Sequence, residues 1–289
     1  TTPFLEILEN ANVSITTSRD IAYTSRYLKI AVNKNAVFNI KSKYGFFRDN
    51  GHQASEILVD ENSSFTVIQG QTNSSYATLT CRGDFTVNKS AVVYLEANYQ
   101  NTAPLILFNT SSSKFNINNP KSIILYNKSY NCLSFSNTVG INVDCGKLDY
   151  WSTSPNLIST GIVENNPLYS WYKSNDENTV INATVTSSKT TVTSSNLTDE
   201  EKEKLPDLNL LTFQTAKTLR FVEYGNLELV NAPNTIEFQR PIVNQNPLIL
   251  GRKESEVTIS VVDSRIISEQ WYLYAYIDNE LTSQDGKYT

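Results

Sequence analysis

From Leu28 to Leu148 the chain is a succession of short segments in which apolar and polar residues alternate. Each segment is closed by Asn, Ser, Gly or Asp, and each is too short for a helix. A chain patterned this way buries its apolar residues by setting strands side by side, so the expectation is an all-β fold. Four segments look alike: Val37-Phe38-Asn39-Ile40, Phe65-Thr66-Val67, Phe85-Thr86-Val87 and Phe115-Asn116-Ile117, each preceded by a polar turn. Their Phe residues lie 27, 20 and 30 positions apart. Second strands fall between them, such as Ala91-Val92-Val93-Tyr94-Leu95 and Ser122-Ile123-Ile124-Leu125-Tyr126. A spacing that drifts in this way fits the coils of a β-solenoid, where corner loops vary while inward apolar residues stack on the coil beneath. A β-sandwich with short alternating strands is the alternative.

Composition supports the first reading. Asn, Ser and Thr number 33, 31 and 29 among 289 residues. Asn accepts left-handed backbone and bonds its own neighbours, which suits tight corners between coils. With 16 Tyr, 12 Phe and only 18% charged residues, strands are favoured over helices. The net charge of −5 is spread without long runs of one sign, which disfavours nucleic acid and anionic membrane as partners. No stretch of about 18 apolar residues exists to make a membrane span. The chain opens at Thr1 without Met or an apolar leader, as expected of a mature or excised fragment.

After Trp151 the pattern changes. Val180 to Ser195 reads as two exposed strands around a turn, and Thr198 to Leu205 reads as a short surface helix capped by Thr198 and Glu201 and ended by Pro206. From Leu219 to Thr289 strands return, among them Leu227 to Val230, Thr235 to Phe238, Val257 to Val262 and Trp271 to Ile277. Along the last of these, Trp271, Leu273, Ala275 and Ile277 share one face, and Tyr272, Tyr274 and Tyr276 the other.

Two stretches carry a resemblance. Val262-Asp263-Ser264-Arg265, then Trp271-Tyr272-Leu273, then Leu281-Thr282 and Asp285-Gly286 resemble the WxL domains of Gram-positive cell-surface proteins, in the order of an Asp-x-Arg turn, a Trp-x-Leu strand and a Gly-bearing loop. Phe115 to Ile123, continuing through Tyr126-Asn127, is similar to the pectate-lyase-like adhesive domain often joined to them. The resemblance implies a right-handed parallel β-helix over residues 1–160, a connector of strands and a short helix over 161–218, and a WxL-like β-sandwich over 219–289. It also implies a secreted protein held non-covalently on the peptidoglycan-containing wall, with the solenoid presented outward to a glycan or host extracellular protein. Its wall-binding or partner-binding residues would be Trp271, Leu273, Asp263, Arg265, Tyr272, Tyr274 and Tyr276. The second, distal Trp-x-Leu motif of the family is missing before Thr289, so a truncated or divergent domain is expected.

The requirements of chemistry are not met by pattern. Acidic residues of the first 160 positions recur in no common register, so neither the paired carboxylates of a glycosidase nor the ligand set of a calcium lyase is expected. No cofactor or metal is expected, and the expected role is binding without catalysis. A polysaccharide lyase or hydrolase and a structural spacer remain the competing classes. His52 beside Asn50-Gly51 reads as a loop residue. Cys81, Cys132 and Cys145 lack CxxC spacing and read as small buried thiols. Arg82-Gly83-Asp84 spells an integrin-recognised tripeptide, but it leads straight into the Phe85 strand, so Gly83 most simply makes a corner.

Overall fold

The computed structural model describes residues 4–19, 21, 27–46, 53–70, 76–99, 102–111, 113–158, 161–162, 166–173, 181–185, 190–194, 213, 215–225, 227–231, 259–263 and 272. The chain divides into two compact units, Thr1–Tyr224 and Gly225–Thr289. Every regular element among the described residues is a strand, so none of these residues belongs to a helix long and apolar enough to cross a membrane. The expected helix over 198–205 lies outside the described residues, as does His52.

The first unit is a β-solenoid of about four coils. Five strands stack in parallel along one side: β2 (Asn12–Thr17), β4 (Val37–Ser42), β6 (Ser64–Gln69), β9 (Val92–Ala97) and β12 (Ser122–Asn127). The other sheet begins with β1 (Phe4–Ile7), β3 (Tyr27–Val32) and β5 (Gln53–Val59), also parallel. Above the long β5 each coil breaks this side into two strands, β7 (Leu79–Cys81) with β8 (Phe85–Val87), then β10 (Ile106–Phe108) with β11 (Lys114–Asn118), then β13 (Leu133–Phe135) with β14 (Val139–Asp144).

Side-chain alternation turns this stacking into columns. In the sheet of β2 to β12, Val13, Phe38, Phe65, Val93 and Ile123 occupy one register position, and Ile15, Ile40, Val67, Leu95 and Leu125 another. From Phe38 and Ile40 upward these residues are at most 1% exposed. In the sheet of β5, Ile57, Phe85, Phe115 and Ile141 form a matching column. Phe38 stacks on Phe65 at 5.8 Å, Phe85 on Phe115 at 5.2 Å, and Phe108 on Phe135 at 5.7 Å, within the range where aromatic pairs gain beyond simple burial.

This register corrects one feature of the repeat. Phe38 and Phe65 are one coil apart, and so are Phe85 and Phe115, but the two pairs sit in different sheets. Phe65 is followed in its column by Val93, not Phe85. The short interval from Phe65 to Phe85 therefore carries the chain from one sheet to the other. The coil itself advances from Val13 to Phe38, then to Phe65, Val93 and Ile123.

Corners between the sheets are built as the Asn content implied. Asn10, Asn35, Asn62, Ser90 and Asn119 all have φ between 47° and 61°, the left-handed region that Asn visits at low cost. At the second coil Ala36 N–H donates to Asn33 O at 3.0 Å, and Asn35 N–H donates upward to Glu61 O at 3.1 Å; the third coil repeats both bonds through Ser63 to Asp60 and Asn62 to Lys89. The corner thus satisfies its own backbone and is tied to the next coil.

Parallel stacking ends at the C-terminal side, where the chain reverses. The hairpin of β19 (Ile181–Val185) and β20 (Thr190–Ser194) pairs antiparallel to β14. β21 (Thr218–Val222) inserts antiparallel between β12 and β15 (Lys147–Trp151), and β18 (Tyr169–Tyr172) covers the far edge of β15. β16 (Leu157–Ile158) and β17 (Gly161–Ile162) form a separate short hairpin. In the second unit, β22 (Leu227–Asn231) pairs antiparallel with β23 (Ser260–Asp263), matching two of the expected strands; Thr235 to Phe238 lies outside the described residues.

The Arg82-Gly83-Asp84 tripeptide is a corner. A Cβ on Gly83 would lie 1.7 Å from the Ser55 carbonyl oxygen, whereas one on Gly70 would meet only Ser42 O at 3.8 Å. Gly83→Ala is expected to cost at least about 2 kcal/mol in denaturant unfolding, and Gly70→Ala to stay within about 1 kcal/mol of the parent. Equal midpoints for the two variants would contradict the close approach.

Candidate functional site

The outward face of the sheet of β2 to β12 changes character along the solenoid. Over the first three coils it carries Ser14, Asn39 and Thr66 in one column and Thr16, Lys41 and Ile68 in the next. Because side chains alternate, Ile15 and Ile40 turn inward between them. A cavity of about 310 Å³ opens on this face, bordered by Ser14, Thr16, Asn39, Lys41 and Thr66 with Ile15 and Ile40. Asn39 Nδ2 reaches Ser14 Oγ at 3.5 Å, the long limit of a hydrogen bond.

Further along, one column turns aromatic and then aliphatic, and the other charged and then aromatic. Thr66 is followed by Tyr94 and Ile124, and Ile68 by Glu96 and Tyr126. Tyr94 donates to Glu96 Oε2 at 2.6 Å. Glu96 and Tyr126 are almost wholly buried. Burial, then the hydrogen bond to Glu96, pushes the Tyr94 hydroxyl well above the ordinary phenol range, and burial raises Tyr126 in the same sense.

At the inserted strand β21, Asp149 is completely buried yet ionically satisfied. Arg220 donates to Asp149 Oδ2 through Nε at 2.9 Å and Nη2 at 2.5 Å, Ser170 Oγ donates to Oδ1 at 2.6 Å, and Lys147 Nζ lies 3.2 Å from Oδ1. The Arg220 guanidinium also lies 5.7 Å from the Trp151 ring centre. This arrangement satisfies a buried carboxylate and fixes a strand; its donors are engaged internally.

A further exposed feature follows the loops that lead from this sheet back to the other. Tyr76, Tyr99 and Tyr130 are 38%, 41% and 41% exposed on three consecutive crossings. On the preceding crossing Lys43 Nζ lies 5.4 Å from the Tyr44 ring centre.

The sequence-predicted residues fall unevenly. Asp263 ends β23 and Tyr272 is 71% exposed. Trp271, Leu273, Arg265, Tyr274 and Tyr276 lie outside the described residues. Arg82 and Asp84 are engaged locally: the Arg82 guanidinium stacks 4.5 Å from the Tyr27 ring centre, its carbonyl accepts from Ser113 Oγ at 2.9 Å and from Thr110 Oγ1, and Asp84 Oδ1 accepts from Lys114 N–H at 2.9 Å. Among the described residues no three of His, Cys, Asp and Glu gather as a metal site. Lys41, Tyr94, Glu96, Asp149 and Arg220 were not singled out by the sequence pattern. Outward phase on a strand was a usable signal for each, but the pairing of Asp149 with the distant Arg220 was not.

All three cysteines are buried and unbridged. Burial raises each thiol far above its usual range; the backbone at Asn127 and Leu219 only partly opposes this for Cys132, and the Lys173 charge with the backbone at Val222 and Lys147 only partly opposes it for Cys145. No family model, curated protein or solved structure matches this chain.

The thiols give a direct check. In the native protein none of the three is expected to react with a thiol reagent, and all three are expected to react after denaturation. Since the native thiols resist ionisation while unfolded ones do not, stability is fully present below about pH 8.5 and falls as pH rises above it. Rapid native labelling, or stability rising into alkali, would contradict the burial.

Proposed function

We propose that this chain is a cell-surface, adhesin-type binding protein that acts through the exterior of its solenoid and has no catalytic role. The observation that carries the reading is the set of exposed Tyr76, Tyr99 and Tyr130 on consecutive crossings of a solenoid that also carries an outward face of hydroxyl and amide side chains. Tyrosine rings offer flat apolar faces with a polar tip, the combination that stacks on sugar rings while meeting their hydroxyls. A protein ligand rich in polar groups is accommodated by the same chemistry. The solenoid itself favours such a role, since coils stacked in register repeat one binding element along a line.

The buried carboxylates of that exterior support binding over catalysis. Glu96 and Asp149 stand on β9 and β15, three strand steps apart through β12 and β21. At the usual strand spacing that is at least about 14 Å, wider than the roughly 5–9.5 Å that paired glycosidase carboxylates need. Both are also occupied, Glu96 by Tyr94 and Asp149 by Arg220 and Ser170.

In this reading the solenoid is a right-handed, pectate-lyase-like adhesive domain, and the C-terminal unit is a WxL-like β-sandwich that holds the protein non-covalently on a Gram-positive cell wall. Asp263, Arg265, Trp271, Leu273, Tyr272, Tyr274 and Tyr276 form its wall-facing set. The protein is accordingly extracellular. The resemblance of Val262 to Arg265 and of Trp271 to Leu273 to that domain is what supports the anchor.

Retention on purified Gram-positive walls, run beside an oligosaccharide array, tests both halves. The protein is expected on the walls and on at least one glycan. Combined replacement of Tyr76, Tyr99 and Tyr130 by Ala is expected to weaken glycan retention about tenfold or more, at roughly 0.5–1.5 kcal/mol for each ring, with an unchanged thermal transition. Trp271→Ala is expected to abolish wall retention only. Absence from both supports would overturn the proposal in favour of a spacer.

A further inference from the structure

The solenoid treats its lysines in two ways. Lys29 and Lys34 each find a carboxylate on the next coil, Glu56 at 2.9 Å and Glu61 at 3.2 Å. Lys41 is exposed on the outward face of β4, and its stacked neighbours are Thr16 below and Ile68 above. It enters no ion pair among the described residues, and it borders the cavity of about 310 Å³ with Ser14, Thr16, Asn39 and Thr66. Among the described residues, none that lines that cavity is acidic. Its border therefore offers one ammonium, three hydroxyls and a carboxamide, with Ile15 and Ile40 between them. At the next rung beyond Thr66 stands the partly exposed ring of Tyr94.

We infer that this cavity is a binding site for an acidic glycan, with Lys41 meeting the anionic group and Ser14, Asn39 and Thr66 meeting the hydroxyls. The inference rests on the binding role proposed above and specifies its ligand. Neutral sugars would be served by the hydroxyls and amide alone; an unneutralised ammonium in their midst adds selectivity only for a negative group, and a charge-assisted bond is about twice as strong as a neutral one. The register also bounds the site. Glu96 lies two rungs from Lys41, about 10 Å away, and its carboxylate is already held by Tyr94. The attractive potential is thus confined to the first three coils, a length suited to a short stretch of chain rather than a long polyanion.

The test uses the full chain and immobilised oligosaccharides of matched length in four arms: neutral, carboxylated, sulfated and phosphorylated. Affinities are measured at low ionic strength, where exposed charges are least screened, and again at physiological salt. The parent is expected to prefer at least one anionic arm over the neutral arm by about tenfold, and the preference is expected to shrink with salt. The arm that binds identifies the anionic group. Lys41→Gln is expected to erase the preference and Lys41→Arg to keep it, with thermal transitions showing both variants folded. A preference untouched in Lys41→Gln, or a parent that binds neutral and anionic arms equally, would overturn the site while leaving glycan binding standing. A parent that binds no arm would remove both.

Discussion

One constraint organises the molecule: every coil must return an apolar residue to the position directly above its predecessor. The column of Val13, Phe38, Phe65, Val93 and Ile123 meets this condition although no two successive coils have the same length. Loops absorb the drift, since they lie outside the ladder and tolerate insertion at little cost. Inward phase is thereby fixed, and with it outward phase, because a slip of one residue would exchange the two faces. The polar columns that border the cavity are a consequence of the apolar ones behind them.

The same logic explains the C-terminal closure. A stack of parallel strands exposes unpaired backbone at its end, which invites association with another chain. Here the chain reverses and places antiparallel strands on β14 and β15. β21 goes further and enters the stack between β12 and β15. Its register is specified twice, by Phe221 in the inward column beside Ile123 and Leu148, and by Arg220 opposite Asp149 on the outward face. Moving the strand by one residue would bury Arg220 among apolar side chains and leave Asp149 with only Ser170 and Lys147 as partners, a cost of several kcal/mol.

Much of this was legible beforehand. Short alternating segments declared strands, the excess of Asn declared left-handed corners, and the lone cysteines declared buried thiols. Gly83 was readable as a corner because a strand begins just after it. What failed was phase: Phe65 and Phe85 look equivalent in sequence but belong to different sheets, and local pattern does not reveal which side of a coil a strand occupies. Long-range insertion was also invisible. Nothing near Thr218 to Val222 announces that this segment will enter between β12 and β15, both of which lie far earlier in the chain. The cavity escaped notice for a related reason. Ser14, Asn39 and Thr66 are ordinary singly and become a site only when successive coils bring them into one column.

Every level above rests on the stacking of coils, and a distance between the ends of the stack tests it most directly. Asn12 and Ser122 occupy the same outward register position on β2 and β12, four parallel steps apart. With the three native thiols buried, nitroxides placed through Asn12→Cys and Ser122→Cys would report that pair alone by double electron–electron resonance. Four steps of about 4.8 Å place the backbone positions about 19 Å apart. A narrow distribution near that value, allowing for label length, is the result expected. A distribution centred at nearly twice that separation, or one too broad to define a separation, would contradict a solenoid in this register.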